Sequence, residues 1–322
     1  MNALEAIVSA ARAGSEEFWT IGPVTARDAA RFAAASGDVA ALGRLRRGSR
    51  VAPPLLLSGV LDWDIGSDVG ELRGDGLSPR EAPYVGDHDV RLVHGGQALR
   101  WYRPVLVGED GLVARRSVRR ADHRNGRSGE LAIIGLETRY VVPRSGPVAT
   151  CRETILCLPG DRDSHRDHRP PPEIVPGGPA DVETVFTPAA LARFSAVTWN
   201  AHRIHLDEQF AKSEGFDGLV VQSTLHGVTL LRAAEHASGT ARRPAAMSWR
   251  NLAPAVAGER LHAAGRPDGT GGWDVVEWTA DGVVTARGHV RFRSDQRTAH
   301  RDDDFVIRDT RRVGAHVGGG AG

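Results

Sequence analysis

Asn200, His202 and His205 fall within six residues of one another in the run Phe194-Ser-Ala-Val-Thr-Trp-Asn-Ala-His-Arg-Ile-His-Leu-Asp207. Apolar helical stretches flank them on both sides. A polar group buried without a partner costs roughly 1–3 kcal/mol, so three of them crowded together must line a cleft or a turn. An imidazole, with an ordinary pKa of about 6.5, exchanges protons near neutral pH. A carboxamide does not titrate and can only orient water or a hydroxyl. The set therefore suits acid–base chemistry, with a histidine carrying the proton and Asn200 as an orienting group. A hydrogen-bonded histidine pair at a helix start would show the same spacing.

The elements that must hold this run repeat along the chain. Thr25-Ala-Arg-Asp-Ala-Ala-Arg-Phe32 and Thr187-Pro-Ala-Ala-Leu-Ala-Arg-Phe194 both read as capped helix starts, and Thr25 to Thr187 is an offset of 162 residues. The same offset sets Asp38 opposite Asn200, and Asp38 reads as a helix cap. Pro104-Val-Leu-Val-Gly-Glu109 is echoed by Pro254-Ala-Val-Ala-Gly-Glu259, now at an offset of 150. Strand-rich runs follow each echo, Leu131 to Val142 and Val283 to Phe292. The chain thus reads as helix first and sheet after, twice. Boundaries follow from composition: a first domain over 1–160, an Arg/Asp/His/Pro-rich linker over 161–178, a second domain over 179–296 and a flexible Gly-rich tail over 297–322.

A length of 322 residues accommodates two such domains, each burying a core. With 41 Lys+Arg against 40 Asp+Glu the net charge is +1, which gives no reason to expect a nucleic-acid partner. Lys212 is the only lysine. Cys151 and Cys157 lie six positions apart in a strand-like stretch, point to one face and read as reduced thiols without metal-ligand spacing. The amphipathic, acidic N-terminus is no signal peptide, and no apolar run reaches membrane-spanning length, so a soluble, cytoplasmic protein is expected, with no membrane partner.

The Asn200-to-Asp207 run resembles the motif of MaoC-like and R-specific hydratases, in which an Asp, an Asn and a His stand in a turn entering the central helix of a hotdog fold. The family's catalytic His falls on His205, its Asp on Asn200 and its Asn on His202. An Asn-x-His-Arg-Ile-His pattern is itself similar to the 3-hydroxyacyl-thioester dehydratase and mesaconyl-CoA hydratase branch. In that branch the N-terminal half is a FAS1-like dehydratase domain, which His94-Gly-Gly-Gln97, Trp101-Tyr-Arg-Pro104 and Val107-Gly108 resemble. The likeness runs over roughly residues 20 to 293.

The resemblance implies an α+β tandem double hotdog, two antiparallel sheets each wrapping a central helix, with the first half non-catalytic. It implies a hydro-lyase that interconverts 3-hydroxyacyl and 2-enoyl thioesters of CoA or an acyl carrier protein, without metal or other cofactor, as a monomer or homodimer of such units. His205 would be the acid/base residue, Asn200 the orienter, and His202 either a second proton carrier or the group that sets the tautomer of His205. Backbone N–H groups along Gly218-Leu-Val-Val221-Gln222-Ser223 would hold the thioester oxygen, although Gln222-Ser223 replaces a His-Gly pair frequent in relatives. Trp199 and Arg203 complete the expected substrate-binding set. His94-Gly95-Gly96 reads as a β-bulge or a tight backbone approach beside the cleft. Arg115-Arg116-Ser-Val-Arg119-Arg120 reads as the solvated face of a strand. Two other readings stay open: a hotdog repurposed as a cyclase or other lyase, and a silent thioester-binding protein.

Overall fold

Apolar residues at helical spacing, Leu4, Ile7, Val8 and Ala11, bury one face of α1 (Ala3–Ala13), and Asn2 with Glu5 closes a capping box at its start. The chain continues through β1 (Glu17–Thr20), α2 (Ala26–Ala35), α3 (Val39–Arg46) and the single turn α4 (Leu56–Gly59). Four strands follow: β2 (Val90–Trp101), β3 (Val113–Gly126), β4 (Gly129–Val142) and β5 (Gly146–Pro159). The second half runs β6 (Val182–Val185), α5 (Pro188–Thr198), α6 (Glu208–Ser213), α7 (Ser223–Ser238), β7 (Pro244–Asn251), β8 (Arg260–Pro267), β9 (Trp273–Thr279) and β10 (Val284–Phe292). This computed structural model describes residues 1–63, 66–126, 129–160, 173–174, 179–239 and 242–293. The expected tail lies outside them, as does the expected linker apart from Glu173 and Ile174, and Ile174 bridges to Val283.

The strands form one ten-stranded sheet in the order β1-β3-β4-β5-β2-β7-β10-β9-β8-β6. Read outward from the β2–β7 junction, the two halves follow the same order. The junction is antiparallel and pairs Ala98 with Ser248, two residues 150 apart. That is the offset of the Pro104 and Pro254 echo, so the repeat in the sequence becomes a local two-fold axis through this pair. The other echo meets on the same axis: Phe32 of α2 and Phe194 of α5 pack with ring centroids 5.5 Å apart. Thr25 and Thr187 cap these helices through the N–H groups of Asp28 and Ala190. The tandem double hotdog is the architecture, with its two sheets joined edge to edge into one.

The halves differ in what the sheet wraps. In the second, α7 is buried almost all round, from Thr224 to Leu231, against β8, β9 and β10. In the first, α4 stops after one turn. Its last carbonyls are taken by side chains instead of by further helix: Leu57 O accepts from Tyr140 Oη and Trp63 Nε1, and Ser58 O from Gln97 Nε2. The space beyond is filled by α1, which lies on β3, β4 and β5 over Ala132, Ile134 and Leu136. The largest buried cluster draws on both halves, joining Leu99 and Trp101 to Leu225 and Trp249.

Cys151 and Cys157 are free and buried, and burial pushes the Cys157 thiol up to about 12. Asp38 caps α3 through Ala41 N. The arginine run on β3 departs from a solvated face at Arg116, which is buried, ion-paired with Glu17 and stacked over Trp19. Among the described residues no helix is long and apolar enough to cross a membrane.

His94-Gly95-Gly96 is both a bulge and a close approach. The β2–β5 register shifts between His94 and Gly96. A Cβ on Gly96, whose φ is 138°, would sit 2.1 Å from the carbonyl oxygen of Trp249 across the junction. Gly96→Ala should therefore lower unfolding stability by at least about 2 kcal/mol in urea denaturation, through backbone strain and a forced separation of β2 from β7.

Candidate active site

The motif turn begins where α5 ends. Trp199 caps the helix in the left-handed region, and Asn200 N bonds back to Ser195 O. The Asn200 side-chain oxygen accepts the His202 N–H at 3.1 Å, closing an Asx turn. Arg203 to His205 then form one 3-10 turn, and Asp207 caps α6 through Phe210 N. The first half clamps this turn from outside. Arg203 N donates to Asp75 O at 2.8 Å and Leu61 N to Thr198 O at 2.9 Å. Gly76, with φ 88°, lies so close that a Cβ there would be 2.2 Å from Ala201 O.

His205 is buried, and its Nδ1 lies 2.7 Å from the carbonyl oxygen of Val220. A carbonyl only accepts, so Nδ1 carries the proton and Nε2 keeps its lone pair. Val220 rather than His202 thus sets the tautomer. His202, also buried, meets the His205 ring edge-on at 5.7 Å. Burial, followed by the charge of Arg73, pushes His202 down to about 4. Burial, then the neighbouring His202, pushes His205 down to about 3, with a further push from His226 and against the bond to Val220. Both rings are neutral at physiological pH.

The segment that fixes His205 leads directly into α7. Val220 N pairs with Ile204 O and Val221 N with Ala255 O, while Gly218 lies against Val256 with ordinary room for a Cβ. No side chain caps α7, which leaves its first-turn N–H groups to whatever faces them. The Gln222 side chain turns away into α5, donating to Leu191 O and Ser195 Oγ. Ser223 Oγ accepts from Trp249 Nε1 and Asn251 Nδ2. These two residues therefore bring backbone groups to the site, as their side chains are engaged elsewhere.

A cavity of about 440 Å³ opens between the halves, with Arg73, Leu92 and Val93 on one wall and His202, Phe210 and Phe216 on the other. His205 is not part of the lining but touches the ring of His202, which is. Of the expected site residues His202 lines this cavity and the other eight do not, Trp199 and Arg203 among them. Trp199 is 52% exposed, and Arg203 is held by Asp207, Gly74 O and the face of Phe210. Two groups were not anticipated from the sequence. Arg73 comes from a loop without periodic pattern. His226, in the first turns of α7, meets Glu277, whose same oxygen accepts from Thr285 Oγ1 at 2.6 Å. The inward alternation of Val275, Glu277 and Thr279 was the available signal for a buried carboxylate on β9.

Comparison with known proteins matches a model of the family described as hydroxyacyl-thioester dehydratase type 2 to residues 66–257. The mesaconyl-C(4)-CoA hydratase of Chloroflexus aurantiacus is 31% identical over 216 residues, 64% of this chain and 69% of that protein. Among solved structures, a MaoC-like dehydratase from Phytophthora capsici aligns with a TM-score of 0.63 at 18% identity, over 89% of this chain and 98% of that one. A Mycobacterium tuberculosis protein described as having a double hotdog fold aligns at 0.54 with 14% identity, over 86% and 96%.

The buried histidines make stability depend on pH. In the unfolded chain each takes a proton near its ordinary pKa of about 6.5, whereas in the fold His202 and His205 do so only near 4 and 3. Their contribution is full above about pH 6.5 and is lost as the pH falls toward those lower values. In urea denaturation at about pH 7.5 and about pH 5, the wild type should lose more stability on acidification than a His202→Gln/His205→Gln double variant.

Proposed function

This chain belongs to the hydroxyacyl-thioester dehydratase type 2 family, and from that premise we propose that His205 is the group that moves the α-proton of its substrate. It is a hydro-lyase that removes water from, or adds water to, acyl thioesters. The observation that carries the assignment of His205 is its geometry: a neutral imidazole, pinned through Nδ1 to the carbonyl of Val220, three residues before the uncapped start of α7. In the dehydration direction Nε2 takes the proton from Cα. The electron pair shifts toward the thioester oxygen, and the N–H groups at the start of α7 hold the developing charge. The 3-oxygen leaves with a proton as water. Hydration is the same path reversed.

Asn200 orients the reacting groups through its amide nitrogen, because its oxygen is engaged by His202 N–H. His202 stands on the cavity wall in front of His205, so a thioester coming from the cavity passes it. Its ring helps to keep His205 neutral. The similar Chloroflexus protein is named for a CoA thioester, which favours CoA over an acyl carrier protein as the carrier here. Both walls of the cavity come from one chain, so a monomer, or a homodimer of complete units, suffices.

Turnover of a panel of enoyl- and 3-hydroxyacyl-CoA thioesters, followed by mass spectrometry, tests the assignment. His205→Ala should lower kcat by roughly 10²–10⁴-fold, the usual contribution of a positioned acid–base group, with Asn200→Ala losing less. The wild-type kcat/KM should hold down to about pH 5, where an imidazole of ordinary pKa would be mostly protonated. A His205→Ala variant within about threefold of wild type would remove His205 from this role.

A further inference from the structure

Another polar cluster lies on the interior face of the sheet, on the first-half side of the β2–β7 junction. β2 pairs with β5 so that His94 faces Ile155, Gly96 faces Thr154 and Gln97 faces Glu153, which makes Gly95 an extra residue. Strict alternation from Gln97 would send His94 to the opposite face. The extra residue inverts the alternation, and His94 joins Gln97, Leu99 and Trp101 on the inside. There its Nε2 lies 3.5 Å from Oε2 of Glu153, the two side chains being 28% and 19% exposed. Burial works against ionisation of Glu153, but the hydrogen bond and charge of His94, then Arg116 and Gln97, outweigh it and hold the group below the usual carboxylate range. Glu153 is thus an acceptor, and Nε2 of His94 carries a proton toward it.

Nδ1 of His94 is left over. It is buried and finds no hydrogen-bond partner among the described residues, and the same holds for the side-chain oxygens of Gln97 and Asn251. Asn251 belongs to β7 in the other half. Its amide nitrogen donates to His94 O at 2.7 Å and to Ser223 Oγ at 2.8 Å, and Ser223 is the first residue of α7. Asn251 thus ties the His94 backbone to the helix start to which the thioester oxygen is assigned above. The two amide oxygens accept; Nδ1 accepts while Nε2 alone carries the proton, and donates once the ring is protonated on both nitrogens.

We propose that His94, Gln97 and Asn251 hold the oxygen that the reaction adds or removes, and that His94 is the catalytic residue that exchanges its proton. The proposal rests on the hydro-lyase reading and supplies the second proton carrier that reading left unassigned. The substrate's 3-carbon lies two carbons from its thioester carbonyl, so an oxygen on it falls beside a carbonyl held at α7. In dehydration the Cα–H pair becomes the new Cα–Cβ bond as Nε2 of His205 takes the proton. The Cβ–O bond breaks with its electrons on oxygen, which takes the Nδ1 proton of a His94 protonated at both nitrogens and leaves as water, while the Nε2–H remains on His94, directed at Glu153. His205 has then gained one proton and His94 lost one, and exchange with solvent restores both. The motif position that is acidic in the resembling family is Asn200, which cannot carry this proton.

The test is steady-state kinetics of the full chain on the best thioester of the panel, as a function of pH, for wild type, His94→Gln and Glu153→Gln, with thermal melting followed by circular dichroism. His94→Gln should lose roughly 100-fold or more in kcat with KM changed less than about threefold, and should lose one limb of the wild-type pH profile. Glu153→Gln should lose about tenfold and shift that same limb. A folded His94→Gln with kcat within about threefold of wild type overturns the proposal. If His94→Gln does not fold, a folded Glu153→Gln with wild-type kcat and pH profile overturns it instead. A wild type that binds thioesters but turns over none overturns the underlying reading as well, and differs from the other failures in leaving no activity for any variant to reduce.

Discussion

The pairing of β2 with β7 is the constraint from which the rest of the molecule follows. Two five-stranded sheets meet there with Ala98 opposite Ser248, and that register is possible only because Gly96 lets the backbone reach the carbonyl of Trp249. Once the edges are joined, α2 and α5 must cross the same axis, where Phe32 meets Phe194. The motif turn at the end of α5 is then carried against loops of the first half, and Asp75 and Gly76 close on it. An edge-to-edge junction also removes two exposed strand edges that would otherwise invite pairing with another chain. The site is therefore a property of the junction and belongs to neither half alone.

Burial at that junction decides the chemistry. A histidine at the surface near pH 7 would be a mixture of protonated and neutral rings, with both nitrogens free to exchange partners. His205 is instead neutral, and the Val220 carbonyl makes its two nitrogens unequal. The same segment supplies that carbonyl and, three residues on, the N-terminus of α7, so base and oxyanion donors are fixed relative to one another by continuous backbone. Placing them on separate loops would leave their spacing to side-chain packing.

Much of this was legible in the sequence where a single element carries the signal. Thr25 and Thr187 announce helices because a cap needs only its own N3 residue, and Asp38 and Asp207 prove to be caps for the same reason. The two offsets, 162 and 150, anticipate the two-fold axis without stating that the sheets join along it. What was not legible depends on distant partners. Arg116 sits in a run that looks solvated, yet Glu17 and Trp19 cover it from a strand almost a hundred positions away. His226 looks like one more helical residue until β9 brings Glu277 to it. Gln222 occupies an expected site position, but the proximity of α5 turns its amide away from the site and into that helix. The amphipathic stripe of α1 declares a buried face and says nothing about which sheet covers it.

The unequal fillings of the two sheets account for where the polar groups fall. A full central helix over β2 and β5 would require apolar side chains beneath it, as α7 does over β8 and β9. In the first half α4 ends after one turn, and α1 arrives from the N-terminus to cover only the far part of β3, β4 and β5. The strand surface nearest the junction is left without a helix, so it must be satisfied by side chains, and Tyr140, Trp63 and Gln97 spend donors on the carbonyls of the shortened turn. Glu153, His94 and the remaining amide oxygen of Gln97 are left on that surface, and Asn251 ties the His94 backbone to the start of α7 across the junction. Loss of a helix in one half and a polar interior beside the reacting centre are thus the same structural event, since an apolar surface there would require the helix that is missing.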